Sequence, residues 1–335
     1  MNKTFIIAEA GANHDRKFDQ ALSLIDVAIS SGADAVKFQT YSSDTLYTKH
    51  TPDFAGYENI NKLIENIQIP REWQSDLKSY CDENGIEFMS TPFDIKAVDE
   101  LYDLGVKRIK IAGFEATDPR IVRYAASTKL PLIITAGIGT DLNMMQKIID
   151  WVCAENSNPD LTFLHGNNAY PTPLEHSCLL QIRKIIDTEF SVDFNVGISD
   201  HTDSIVVPSL AVSLGATVVE KHYTLSRHLR GPDHGLHALE PRELSQMIRY
   251  VRDTEKCLFE KNSVSDSEVG FLNAMRSVVS KTKIFPGDKL CEKNITTKRP
   301  FFDGCVPAES FYDLFGKTVK REISIDESIM CEDLE

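Results

Sequence analysis

No uncharged apolar run in this chain of 335 residues approaches the roughly 18 that a bilayer span needs, so no membrane anchor is expected. Glu9 and Asp15 stand where a secretory leader would want an apolar core and a cleavage site, which predicts a cytoplasmic protein. Basic charge is in deficit: 36 Lys and Arg against 50 Asp and Glu give a net charge of −14. A long-range field of that sign repels nucleic acid and anionic membrane, so neither is an expected partner. The seven cysteines (81, 153, 178, 257, 291, 305, 331) contain no C-x-x-C pair, and their odd number and wide spacing suggest neither a disulfide framework nor a thiolate zinc site. Also missing is a G-x-G-x-x-G after the first apolar run, where Glu9-Ala-Gly-Ala-Asn-His14 stands instead. That absence weakens an open dinucleotide-binding sheet.

What is present is a rhythm. Short β-rich runs recur at Thr4 to Ala8, Ala35 to Gln39, Ile86 to Ser90, Val106 to Ala112, Leu130 to Thr135, Leu161 to His165, Val192 to Ile198 and Thr217 to His222. Between most of them lie segments of helical spacing, such as Met144, Ile148, Ile149 and Val152. Eight alternating units of apolar strand and helix predict an α/β fold, a (β/α)8 TIM barrel over residues 1–270, its parallel strands buried on both faces. After about Leu258 the texture turns polar, and a small, mostly β domain is expected over 277–335. Within it Lys281 to Leu290 can be laid over Lys320 to Ile329 without a gap, a weak internal duplication in which each copy reads strand, turn, strand.

Chemistry in such a barrel gathers where strands end and βα loops begin. Those ends supply Glu9, then Lys37 and Gln39, Thr91, Lys110 and Glu115, Thr135, Asn168 with Tyr170, Ser199 with His201, and His222. His201 and His222 close consecutive runs, so two imidazoles come within reach of one divalent metal with open positions left for substrate. Without a thiolate the pair suits Mn2+, Mg2+ or Co2+ as well as zinc. Lys37, Lys110 and the hydroxyls of Thr91, Thr135 and Ser199 offer the converging donors that a phosphate or carboxylate needs. A buried lysine could equally form a Schiff base, and spacing leaves both roles open. Glu9, Glu115 and Asp233 are the candidate acids and bases.

The ordered motifs FIIAEAGANH (5–14), VKFQT (36–40), STPF (90–93), YPTP (170–173), GISDHT (197–202), EKHYT (220–224) and GPDH (231–234) resemble the sialic acid synthase family, which makes nonulosonic acids. VVSKTKIFPGD, KRP and LFGK in the tail resemble that family's antifreeze-like (SAF, β-clip) domain. The resemblance implies a metal-dependent condensation of phosphoenolpyruvate with a 2-acetamido sugar such as N-acetylmannosamine, giving a nine-carbon 2-keto acid and phosphate. Acceptors bearing two acetamido groups, which lead to legionaminate or pseudaminate, are the alternative. It places the metal, Mn2+ first, on His201 and His222. Phosphoenolpyruvate falls to Lys37, Thr91, Lys110, Thr135, Asn168 and Ser199, and the sugar to Glu9, Gln39, Tyr170 and Asp233. Arg299 matches a tail-domain arginine that reaches a partner's site, which implies a domain-swapped homodimer. Glu115 is a plausible organiser of the attacking water. One departure stands out: Lys110-Ile-Ala-Gly-Phe-Glu115 replaces K-I-G-S-G-E, so a serine hydroxyl is missing at Gly113.

Overall fold

The structure is a computed structural model and describes residues 3–53, 56, 58–261 and 263–335. The chain divides into two compact units, Met1–Phe259 and Glu260–Glu335. The segment 260–270 therefore groups with the second unit and not with the first. Hydrogen bonds from Phe301 N–H to Asn273 O (3.2 Å) and from Ala308 N–H to Arg276 O (3.1 Å) hold the residues that follow it inside the second unit.

All eight expected runs of the first unit form strands: β1 (Phe5–Gly11), β2 (Ala35–Thr40), β3 (Glu87–Pro92), β4 (Ile109–Ile111), β5 (Leu132–Ala136), β6 (Leu161–Gly166), β7 (Asn195–Asp200) and β8 (Val218–His222). They pair in parallel in the order β3-β2-β1-β8-β7-β6-β5-β4, with β1 between β2 and β8. The two end strands, β3 and β4, lie against each other, and Arg108 holds Glu87 at 2.7 Å beside them, so the sheet closes into a barrel wrapped by helices. Among the described residues no helix is long and apolar enough to cross a membrane.

Strand alternation sorts the side chains. Ile6, Ala8, Val36, Phe38, Ile109, Ile111 and Ile134 join the cluster under the helices. Ile7, Ala35, Met89, Ile133, Leu164 and Val218 point the other way and fill the barrel floor. Two residues further along β1, β2, β3, β5 and β8 the same parity brings up Glu9, Lys37, Thr91, Thr135 and Glu220. The apolar plug and the polar mouth are thus successive layers of one inward face.

In the second unit, β9 (Ser277–Ser280) and β10 (Ile295–Lys298) pair antiparallel over a core that includes Val278, Ile284, Leu290, Ile295, Val319, Ile323 and Ile329. The two overlaid segments are linked by one isolated bridge, Ile284 with Ile323, and not by the continuous strands that the sequence suggests. Their pairing has internal symmetry at an offset of 39 residues, the separation of Ile284 from Ile323. Those two isoleucines exchange reciprocal backbone hydrogen bonds (3.0 and 2.9 Å), and the bonds Gly287 to Val319 and Leu290 to Lys317 recur as Asp326 to Ser280 and Ile329 to Val278. Gly287 (φ 88°) and Asp326 (φ 69°) hold the same left-handed turn position.

Candidate active site

The mouth of the barrel gathers Glu9, Lys37, Gln39, Thr91, Lys110, Thr135, Asn168, Tyr170, Ser199, His201 and His222 around one pocket. Lys37 lies at its centre, 2.7 Å from Glu9, 2.9 Å from the Thr91 hydroxyl and 3.7 Å from Glu220. Gln39 donates to Glu9 (2.7 Å), Lys110 approaches Glu220 at 3.4 Å, and Ser199 donates to Glu220 at 3.1 Å. Both lysines are buried. Burial alone would depress the Lys37 ammonium, but Glu220 and Glu9 outweigh it and raise its pKa. Lys110 is pulled down by burial and by the neighbouring Lys37, against the pull of Glu220. Burial would push the Glu220 carboxyl up, but Lys110 and Lys37 on either side hold it below its ordinary value. Burial lifts Glu9 to about 7 against the pull of Lys37. The hydroxyl of Thr135 is buried with no protein partner. The two lysines thus share the Glu220 carboxylate, with the Thr91, Thr135 and Ser199 hydroxyls around them.

The histidines stand beside this pocket. His201 contacts Asn167 O through Nδ1 (2.6 Å), which leaves Nε2 as the free nitrogen, 3.5 Å from Ser199 Oγ. The His201 and His222 rings are 5.5 Å apart, with Tyr170 4.3 Å from the first and 5.9 Å from the second. Burial lowers His201 to about 4 and His222 well below its ordinary value, so both are neutral imidazoles at pH 7, the form that ligates metal. The Nε2 of His201, with only a 3.5 Å contact to Ser199, and the neutral ring of His222 beside it fit a labile divalent ion, while the Nδ1 of His222 is buried and unpartnered. Among the described residues no group of three or more His, Cys, Asp or Glu is arranged to hold a metal, so a pair is the donor set on offer.

Asn168 occupies a slot between two glycines. A Cβ on Gly113 would meet its Nδ2 at 2.9 Å, and one on Gly137 its Oδ1 at 2.1 Å, while Ile138 N–H donates to Oδ1 at 2.8 Å. The space that a serine side chain would enter at 113 is therefore taken by the Asn168 amide. Gly11 plays a similar part at β1. Its φ is +53°, and a Cβ there would fall 2.4 Å from the Asp233 carboxylate and 3.5 Å from His222.

Two expected residues stand apart from the pocket wall, and a third belongs to the other unit. Asp233 approaches from the loop after β8, accepts from Ala12 N–H (2.7 Å), and has its pKa raised by burial. Glu115 lies in the turn after β4 with Oε2 buried and unpartnered, and burial lifts it to about 7 against the nearby Lys110. Arg299 belongs to the second unit and is exposed there. Glu220 was not among the expected residues, although its spacing from His222 puts both on the inward face of β8. Phe93 and Phe114 also line the pocket unanticipated.

The NeuB family model matches residues 24–263. The N,N'-diacetyllegionaminic acid synthase of Legionella pneumophila is 36% identical, covering 99% of this chain and 94% of the relative. A pseudaminic acid synthase of Campylobacter jejuni is 32% identical over 99% of this chain and 97% of its own length. Among solved structures, the sialic acid synthetase of Leptospira borgpetersenii superposes with a TM-score of 0.73 at 28% identity, covering 82% of this chain and 91% of that one.

Proposed function

The chain belongs to the NeuB family, a carbon–carbon bond-forming transferase, and from that premise we propose that it condenses phosphoenolpyruvate with an open-chain 2-acetamido sugar. N-acetylmannosamine is the leading acceptor, N-acetylneuraminate and phosphate the products. The observation that carries the reading is the buried pair Lys37 and Lys110 sharing Glu220, with two neutral imidazoles alongside. Lys37, Lys110, Thr91, Thr135, Ser199 and the Asn168 amide bind the phosphate and carboxylate of the donor. Glu9, Gln39, Tyr170 and Asp233 orient the acceptor. Carbon 3 of phosphoenolpyruvate forms the new bond to the sugar aldehyde carbon, whose oxygen takes up a proton. Water then adds to carbon 2, its proton passing to Glu115, whose lifted pKa suits that transfer. The carbon–oxygen bond to phosphate breaks as the ketone forms, with the two lysines matching the charge on the leaving group. His201 and His222 would hold a divalent ion, Mn2+ first, which when bound polarises the aldehyde.

A second reading, an acceptor with two acetamido groups and a methyl end, is favoured by the 36% identity to a relative named for a diacetyl product. Phe114, 57% exposed at the pocket wall, supplies an apolar surface that such methyls suit. The tail is proposed as an antifreeze-like domain that carries Arg299 to a partner subunit's site in a swapped homodimer. The test is phosphate release from phosphoenolpyruvate with Mn2+, offering N-acetylmannosamine beside 2,4-diacetamido-trideoxyhexoses. Release with N-acetylmannosamine supports the leading acceptor, and release with the diacetamido sugars alone supports the second. Silence with every acceptor, together with a borohydride-trapped pyruvate adduct, would replace the mechanism by Schiff-base chemistry.

A further inference from the structure

His237 has no part in the steps above. It follows the turn Arg230-Gly-Pro-Asp-His234, is buried, and neither of its ring nitrogens has a hydrogen-bond partner. Folded proteins rarely bury a polar ring with both nitrogens unpaired, so the pair of orphans marks a missing partner. The neighbour that needs one is His222. Its Nδ1 is likewise buried and unpaired, and the two rings lie 5.0 Å apart with planes at 77°. Two imidazoles joined by an N–H···N bond of ordinary length have ring centres about 5 Å apart. The observed separation of the two rings is thus the one such a bond requires. Gly235 leaves room for the His237 ring, since a Cβ there would stand 3.0 Å from His237 Nδ1.

A histidine that ligates metal is ordinarily held by a second hydrogen bond at its other ring nitrogen. His201 has that support in Asn167 O, whereas His222 has none among the described residues. We infer that His237 is the positioning partner of His222, accepting its Nδ1–H and aiming its Nε2 at the ion. The inference rests on the reading of His201 and His222 as metal ligands. The same ring packs edgewise on Tyr170 at 5.2 Å, so one side chain would set the pose of a ligand and of a sugar contact together.

The test is Mn2+ affinity, by calorimetry and by the EPR signal of free Mn2+, in the wild-type protein, His237→Phe and His237→Gln. Phenylalanine keeps the bulk and removes the acceptor, while glutamine keeps an acceptor. His237→Phe should bind Mn2+ roughly 10–100-fold more weakly, with most of the loss recovered in His237→Gln. Unchanged affinity in the phenylalanine variant, or equal losses in both, overturns the inference and leaves the metal reading standing. A wild-type protein that binds no Mn2+ overturns both. Should the variants fail to fold, nitrogen spectra of 15N-histidine wild-type protein with Zn2+ decide. A proton on His222 Nδ1 coupled to an imidazole nitrogen of His237 supports the inference, and a proton on His222 Nε2 refutes it.

Discussion

Replacing Gly137 by alanine isolates what Asn168 contributes, because the backbone there needs no glycine conformation and only the slot is disturbed. The new methyl would lie 2.1 Å from Asn168 Oδ1, about an ångström inside contact distance. If the amide stays, overpacking of about 1–3 kcal/mol is added to the fold. If it swings away, its hydrogen bond from Ile138 N–H goes with it, about 1 kcal/mol, and the donor is taken from the anion pocket. A hydrogen bond to a charged group contributes about 1.5–3 kcal/mol, so kcat/KM for phosphoenolpyruvate should fall by roughly 10–100-fold while KM for the sugar hardly moves. Gly113→Ala, with its closest approach at 2.9 Å to Nδ2, should show the same pattern more weakly. The assay is phosphate release against phosphoenolpyruvate concentration, with thermal unfolding in parallel. Wild-type phosphoenolpyruvate kinetics in Gly137→Ala, or a loss confined to the sugar, would refute the slot argument.

Four further outcomes are expected. Lys110→Ala should raise KM for phosphoenolpyruvate by roughly 100-fold, far more than KM for the sugar, and the reverse pattern in steady-state kinetics would move the lysine to the acceptor. Glu115 is lifted from 4.5 to about 7, so the folded state holds its proton more tightly than the unfolded chain does. That contribution is complete below pH 4.5 and disappears as pH rises through about 7; Glu115→Gln should therefore be more stable than wild type at pH 8, by up to about 3 kcal/mol, but not at pH 4, as read by urea unfolding. Gly287→Ala meets no atom within 4 Å, so its cost is the left-handed backbone alone, about 1 kcal/mol in denaturant melts, and no loss would contradict the turn geometry. Co-expressing Arg299→Ala with His222→Ala should restore partial activity if subunits exchange their tails, and inactive mixed dimers would exclude the exchange.

Much of this was legible because two signals coincide on each strand. An apolar run marks the strand, and a polar residue at its end marks the mouth, so Lys37, Thr91, Thr135 and His222 stand out along the chain itself. Glu220 escaped because it lies inside a run, where a single carboxylate reads as a solvated edge. Only the two-residue step to His222 betrays its inward side. His237 and the Asn168 slot were hidden for another reason: each depends on loops brought together after folding, and no spacing along the chain encodes the distance from Gly137 to Asn168. In the tail the repeat was visible as sequence, but its pairing was not, since isolated bridges lack the alternating run that announces a strand.

The reciprocal bonds between Ile284 and Ile323 mark a local two-fold axis in the second unit, relating the segments 278–290 and 317–329. Each backbone bond given on one side of the axis is answered by its copy on the other, as across the axis of an oligomer of identical subunits. Only residues that meet at the axis must suit themselves, and the rest are free to diverge. Making the halves identical should keep the fold closed, and one half alone should tend to find a second copy of itself.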